Sequence, residues 1–209
     1  MMRGSTELFI YPAHLILGRT VHRDESELIE QSTRGDRAAF GVLVRRHQDR
    51  LYNTVLRLLG NTDDAADVVQ EAFLSAYVSL QNFKGDSKFF TWLYRIAINS
   101  AISLKRKQRV ALSVDAPGGA SRVPEPMDES EASRPGLALE RAENSERLQR
   151  ALNRITPDHR VVLILKEIDG QKYEMIAEVL QVPIGTIRSR LHRARLELRD
   201  RLAEESAEG

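Results

Sequence analysis

The sequence predicts an all-α protein of two small helical domains joined by a flexible linker. Beyond Glu25 no alternating apolar and polar strand pattern persists. Apolar residues recur at helical spacing in two separate blocks, and the stretch between them holds Pro117, Gly118, Gly119, Pro124, Pro126, Pro135 and Gly136 among serines and acidic residues. Such a stretch buries too little apolar surface to offset its ordering entropy, so it reads as a tether. The organisation expected is an unstructured extension over 1–25, a helical domain over 26–107, a linker over 108–136, a second helical domain over 137–203 and a tail over 204–209. In the extension Leu8 to Leu17 is mildly apolar, but only Arg3 precedes it and no small-residue cleavage site follows, which disfavours a signal peptide.

Composition removes several function classes. At 209 residues, 42% hydrophobic and 29% charged, the chain is an ordinary folding protein. It has no cysteine, hence no disulfide or thiolate metal site, and its five histidines form no HxxxH or HExxH pair. No apolar run reaches the length of a membrane span, and neither a metal nor a cofactor is expected.

The net charge of +1 hides segregation. Arg95 to Arg109 contains five basic residues and no acidic one, and Thr186 to Arg201 sets six arginines against Glu197 and Asp200. Asp63, Asp64, Asp67 and Glu71 form an acidic cluster, and Glu125 to Glu131 another. Two basic stretches point to two contacts with a polyanion, whereas a charge run alone is usually a solvated helix face.

In the second block, Thr156 and Pro157 mark a helix start that carries Val161, Val162, Leu165 and Ile168 and ends at Asp169 and Gly170. A short helix follows over Tyr173 to Leu180, with Ile176, Ala177 and Leu180 inward. After a break at Gln181 and Val182, Pro183 opens another helix. Two helices around so brief a turn make a helix-turn-helix. The last helix has an apolar stripe of Ile187, Leu191, Ala194 and Leu198. On its opposite face Arg188, Ser189, His192 and Arg193 are the candidates for base contacts, because an arginine fork matches a guanine edge and the N-terminal part of such a helix enters the major groove. Arg190, Arg195 and Arg199 are placed on phosphates.

In the first block, Asp64, Asp67 and Glu71 share one helix face, with Val68, Ala72, Phe73 and Ala76 on the buried side. The acidic face is either solvated or a dock for a basic or helical partner. Phe83, Lys84, Gly85, Asp86 and Ser87 read as a loop feeding the next helix, with Asp86 or Ser87 as its cap. That helix is expected to bury Leu93, Ile96, Ala97, Ser100 and Leu104, and to present Arg95, Asn99, Ile102, Ser103 and Arg106, with Trp92 at the margin. Arginine and asparagine beside aromatic rings suit a single strand, whose bases stack on rings and offer edges to amides. For most of Phe83, Phe89, Phe90, Trp92 and Tyr94, core packing is the simpler reading.

The runs AFGVLVRRHQDRLYNTVLRLLGN, DDAADVVQEAFLSAY, FKGDSKFFTWLYRIAINSAISLKRK and IAEVLQVPIGTIRSRLHRARLELR occur in an order and spacing that resemble regions 2 and 4 of the sigma-70 family. Without a region 1.1 or an independent region 3, the chain resembles the extracytoplasmic-function subgroup, and the first 25 or so residues have no counterpart in the pattern. The resemblance implies a region 2 helical bundle and a region 4 helix-turn-helix, in a cytoplasmic transcription factor that is not an enzyme and does not enter a membrane. It implies that core RNA polymerase is the partner, through the clamp coiled coil of the largest subunit and the beta-flap. Asp64, Asp67, Gln70 and Glu71 match the clamp-binding segment. Phe83, Lys84, Gly85, Asp86, Ser87, Trp92, Tyr94, Arg95 and Asn99 match the parts that read and melt the −10 element, held single-stranded. Arg188, Ser189, His192 and Arg193 match the reader of the double-stranded −35 element, and Lys105 and Arg106 join the phosphate contacts. The resemblance further implies an anti-sigma partner and a stress or envelope response. Two rivals differ in what they need: a stand-alone duplex-binding regulator needs a dimerisation or effector surface, and a metal-dependent nuclease needs carboxylates at matching helical offsets.

Overall fold

The computed structural model describes residues 24–112 and 135–207, and side chains over 24–108 and 143–205. The expectations for 1–23, for 113–134 and for the last two residues lie outside the described residues. Among the described residues the protein is helical throughout, with no strand. The helices are α1 (Glu25–Thr33), α2 (Arg37–Leu59), α3 (Thr62–Ser79), α4 (Phe89–Leu112), α5 (Pro135–Arg154), α6 (Pro157–Leu163), α7 (Tyr173–Leu180) and α8 (Ile184–Ala207). Thus α4 runs past the expected boundary at 107, and α5 begins two residues before 137.

Local chemistry sets the corners. Asp36 caps α2, its Oδ1 accepting from the Ala38 amide at 2.8 Å, and Gly60 ends that helix at φ 72°, where a side chain would be strained. Asn61 then caps α3, its Oδ1 accepting from the amides of Asp63 and Asp64 at 2.9 Å each. The helix after the aromatic loop begins at Phe89, so Lys88 and not Asp86 or Ser87 precedes it, and the Trp92 amide bonds the Lys88 carbonyl at 3.1 Å.

Thr156 stands at the cap position of α6 as its sequence predicts, but its side chain does not cap. Glu197 of α8 reaches over instead and accepts from the Thr156 amide at 3.0 Å and from His159 Nδ1 at 2.8 Å. Burial pushes this carboxyl up, yet the hydrogen bonds from His159 and Thr156 outweigh it and hold Glu197 below its usual range. Past Leu163 the helix widens into a π-turn over Ile164–Ile168, closed by the Asp169 amide on the Ile164 carbonyl at 2.9 Å. That turn brings the half-buried Asp169 against Thr54 of α2.

Among the described residues the two domains pack against each other, and residues 113–134 of the expected linker lie outside those described. Helix α7 packs along α4, α5 touches α2, and α6 touches both α2 and α4. One apolar core runs from Leu28, Leu43 and Leu51 through Leu93 and Ala97 to Val161, Ile176 and Leu191. A smaller cluster of Leu152, Ile155, Leu163 and Ala194 binds α5 and α6 to α8.

Candidate nucleic-acid interface

Helix α8 is aimed by what lies before it. The chain leaves α7 at Gln181 in the left-handed region, φ 54°, with the Val182 amide bonded to the Ala177 carbonyl at 3.1 Å. Pro183 then opens the new helix, its carbonyl accepting from Thr186 at 2.9 Å. Ile187, Leu191 and Ala194 are buried and Leu198 is half-buried, which fixes the rotation of α8. In consequence Arg188, Ser189, His192 and Arg193 are all exposed on one side.

The arginines of α8 fall into two groups. Among the described residues Arg188 and Arg193 enter no ion pair; Arg188 lies 5.9 Å from the Tyr173 ring centroid. By contrast Arg190 lies 3.5 Å from Asp158, Arg195 lies 2.6 Å from Glu167 and Arg199 lies 3.0 Å from Asp200. Exposed pairs of this kind hold weakly, so a phosphate can take the carboxylate's place. Ser189 Oγ donates to the Thr186 carbonyl at 3.0 Å, leaving its lone pairs outward.

The first helical domain presents a more mixed surface. Lys84, Gly85 and Asp86 are exposed and Ser87 is half-buried, with Gly85 at φ 76°. Phe83 is half-buried and stands edge-on to Phe89, ring centroids 5.9 Å apart, and 5.1 Å from Trp92. Asn99 is exposed on α4, and Arg95 is half-buried one turn before it. The buried face of α4 is Leu93, Tyr94, Ala97, Ile98 and Ala101, while Ile96, Ser100 and Leu104 are only partly covered.

Two side chains placed on DNA by resemblance are turned inward in this arrangement. Tyr94 is fully buried, its hydroxyl 2.7 Å from Thr54 Oγ1 and 3.2 Å from the Arg50 carbonyl, and burial pushes its pKa up. Lys105 donates to the Leu59 carbonyl at 2.8 Å, and burial together with nearby Arg160 lowers its pKa to about 8. Arg106 stays exposed, 3.3 Å from Asp158.

The acidic ridge of α3 keeps Asp67, Gln70 and Glu71 exposed, whereas Asp64 is half-buried and accepts from Gln108 Nε2 at 2.7 Å. Beside it lies an apolar groove of about 640 Å³ between α2 and α3, lined by Phe40, Val44, Tyr52, Phe73, Leu74 and Tyr77. Leu74, on its lining, is 59% exposed, and Val78, one turn further along α3, is 82% exposed. Sequence reasoning missed this groove; two large apolar residues at i and i+4 on an otherwise polar face were the signal. Among the described residues no cluster of three histidines or carboxylates could hold a metal. No helix among the described residues is long and apolar enough to cross a membrane.

An exposed arginine face behind a tight turn, joined to a second helical domain with an acidic ridge and an aromatic loop, defines a two-domain DNA-binding protein. The family models "Sigma-70 region 2" and "Sigma-70, region 4" match residues 43–110 and 145–198. The chain is 37% identical over 178 residues to the RNA polymerase sigma-H factor of Pseudomonas aeruginosa, covering 82% of this chain and 90% of that protein. It is 38% identical over 181 residues to the ECF RNA polymerase sigma-E factor of Escherichia coli K12, covering 80% and 88%. Its fold is similar to the sigma factor RpoE of Bartonella quintana, solved with the anti-sigma factor NepR, at TM-score 0.62 and 27% identity over 78% of this chain and 96% of that one. The chain belongs to the sigma-70 family, in its extracytoplasmic-function subgroup.

Proposed function

We propose that the chain binds core RNA polymerase, directs it to promoters by reading the −35 and −10 elements, and promotes melting of the latter. The observation that carries this is the exposed set Arg188, Ser189, His192 and Arg193 on the second helix of a helix-turn-helix, with no ion pair on either arginine among the described residues. Arg188 and Arg193 read base edges in the −35 major groove, while Arg190, Arg195 and Arg199 exchange their carboxylates for phosphates. The exposed loop Lys84 to Asp86 and Asn99 take the unpaired −10 strand, backed by the Phe83 and Trp92 rings. Unstacking a base costs a few kcal/mol, which pocket contacts on the flipped base offset. Asp67, Gln70 and Glu71 dock on the clamp coiled coil, and region 4 on the beta-flap.

The apolar groove beside that ridge suits a helical protein partner. Because a related fold is solved with an anti-sigma factor, control by an anti-sigma protein in a stress or envelope response is part of this reading. Bond-making chemistry belongs to the polymerase, and the chain acts in the cytoplasm.

The experiment adds the chain to sigma-free core polymerase with a pool of promoter fragments. Start-site-specific transcripts that vanish with Asn99→Ala or Arg193→Ala are the expected result. No binding to core, with tight binding to a duplex operator alone, would establish a stand-alone regulator instead.

A further inference from the structure

The seam between the two domains holds a cavity of about 400 Å³, where α4 meets α5, α6 and α8. Four cations line it, Lys105, Arg154, Arg160 and Arg201, against a single carboxylate, Glu197. The exposed arginine face of α8 takes no part, since neither Arg188 nor Arg193 is on the lining. Lys105, matched to a DNA phosphate by resemblance, lines this space instead. Ile155 and Pro157 add an apolar patch, and the volume falls within the range of small-molecule sites.

The innermost cation is a charge without a counter-charge. Arg160 is 1% exposed, and among the described residues no carboxylate lies in ion-pair range of it. Its terminal nitrogens donate only to neutral oxygens: the Leu58 carbonyl at 2.9 Å, the Ile155 carbonyl at 3.1 Å, Asn153 Oδ1 at 3.3 Å and the Asn153 carbonyl. Gly60 makes room for that arrangement, because a Cβ there would stand 2.7 Å from Asn153 Oδ1. The buried Nε has no partner among the described residues. Neutral oxygens satisfy N–H groups but cancel no net charge, and a buried charge left unpaired is costly. Burial pushes this guanidinium down to about 10, and the opposing pull of Glu197 is weaker. Glu197 is itself engaged, by the Thr156 amide at 3.0 Å and His159 at 2.8 Å.

Lys105 is the second uncompensated cation. Its ammonium donates to the Leu59 carbonyl at 2.8 Å, which leaves two N–H groups for another acceptor. Burial and then Arg160 lower its pKa to about 8, against a weaker pull from Asp64. Two cations thus press on each other beside an open space. The remaining two share one carboxylate: Arg154 Nη2 lies 2.8 Å from Glu204, and Arg201 Nη1 lies 3.0 Å from it. Arg154 is exposed and Arg201 half-buried, so these pairs hold weakly and their forks can turn to a better anion.

We propose that this cavity binds the phosphate or diphosphate group of a small molecule. Arg160 supplies charge from the inner wall, Lys105 supplies charge and two hydrogen bonds, and Arg154 and Arg201 exchange Glu204 for the outer oxygens. A phosphoryl group fits this set better than a carboxylate does, because it carries more charge and three acceptor oxygens. The site stands whether or not the chain reads promoters.

The test titrates the full chain with pyrophosphate and, separately, with inorganic phosphate in a calorimeter, chloride holding the ionic strength constant. Saturable binding at one site is expected, together with a Tm that rises with ligand concentration. Lys105→Met should weaken binding about tenfold or more, the loss of one charge-assisted hydrogen bond. Because Lys105 also bonds the end of α2, Arg201→Gln is the second variant, and it should weaken binding severalfold with the fold intact. Tighter binding of pyrophosphate supports a diphosphate-bearing ligand, and tighter binding of phosphate supports the free ion at the same site. No saturable heat, or a Tm shift that chloride reproduces, overturns the site. Wild-type affinity in both variants overturns it too, and a loss confined to Arg193→Gln would put the anion on the exposed face of α8 instead.

Discussion

Helices α8 and α4 are the two surfaces proposed to carry sequence-reading side chains, and they are built differently. Helix α8 is covered on one side only: Ile187, Leu191 and Ala194 are buried and the arginine face is open. Helix α4 packs against α2 and α3 on one side and α7 on another, so the polar residues left for nucleic acid are a narrow strip around Asn99 and Ser103. One-sided burial leaves function and packing on separate faces, where periodicity finds both. Two-sided burial interleaves them, and an aromatic residue can then belong to either.

The largest expected effect tests that interleaving. Tyr94→Ala should lower stability by about 3–5 kcal/mol, because it empties a fully buried ring site and removes the hydroxyl paired with Thr54. Five residues on, Asn99→Ala should leave urea unfolding unchanged within about 0.5 kcal/mol while removing transcripts from core polymerase. If both variants lose transcripts at equal stability, Tyr94 works on DNA and the division drawn here on α4 fails.

Next in size is the contrast within α8. Arg193→Ala or Arg188→Ala should cost about 1–3 kcal/mol of discrimination at a single −35 base pair. Arg199→Ala, already paired with Asp200, should weaken binding evenly across sequences and lower the salt slope by about one. Measuring holoenzyme binding to a panel of −35 variants across salt concentrations separates the two. A uniform loss from Arg193→Ala would reassign that residue to phosphate.

Smaller again is the cap of the acidic ridge. Asn61→Ala should cost about 1 kcal/mol of thermal stability, because the amides of Asp63 and Asp64 lose their acceptor. Affinity for core polymerase, measured at a temperature where the variant stays folded, should not change, since Asp67, Gln70 and Glu71 keep their exposure.

How much of this was legible follows the same contrast. The two-domain helical plan, the tight turn at Gln181, the stripe of α8 and its exposed face all rest on contacts within a few residues, and local spacing reports such contacts. The burial of Tyr94 comes with contacts to Thr54 and the Arg50 carbonyl of α2, some forty residues away in the chain, which no periodicity encodes. Pro157 at a helix start was readable, but the group that caps that helix, Glu197, lies some forty residues away in the chain. Asn153 and Arg160 carried no signal in sequence, since a buried guanidinium on backbone carbonyls looks like any surface arginine. Gly60 was recognisable only as a turn, and its second task, admitting Asn153, is visible only once the domains meet.

The smallest expected effect is a pH dependence that sharpens the comparison at the seam itself. Burial raises the Asp169 carboxyl above its ordinary value, against the lowering pull of the Thr54 hydrogen bond and of Arg50 and Arg57; Tyr94 is the other titratable group facing it. A carboxyl raised in the docked state favours docking while it is protonated. That contribution is fully present below the ordinary carboxylate pKa and is lost as pH rises through the raised one. Energy transfer between dyes on Gln81→Cys and Glu178→Cys, one exposed position in each domain, should therefore fall from mildly acidic toward neutral pH. In Asp169→Asn, which can still accept from Thr54 and cannot ionise, the curve should be flat over that window and stay near the acidic value. A wild-type curve that is already flat would mean that Asp169 is solvated and charged in the docked chain, and that the Thr54 contact adds nothing to the docking of region 4 on region 2.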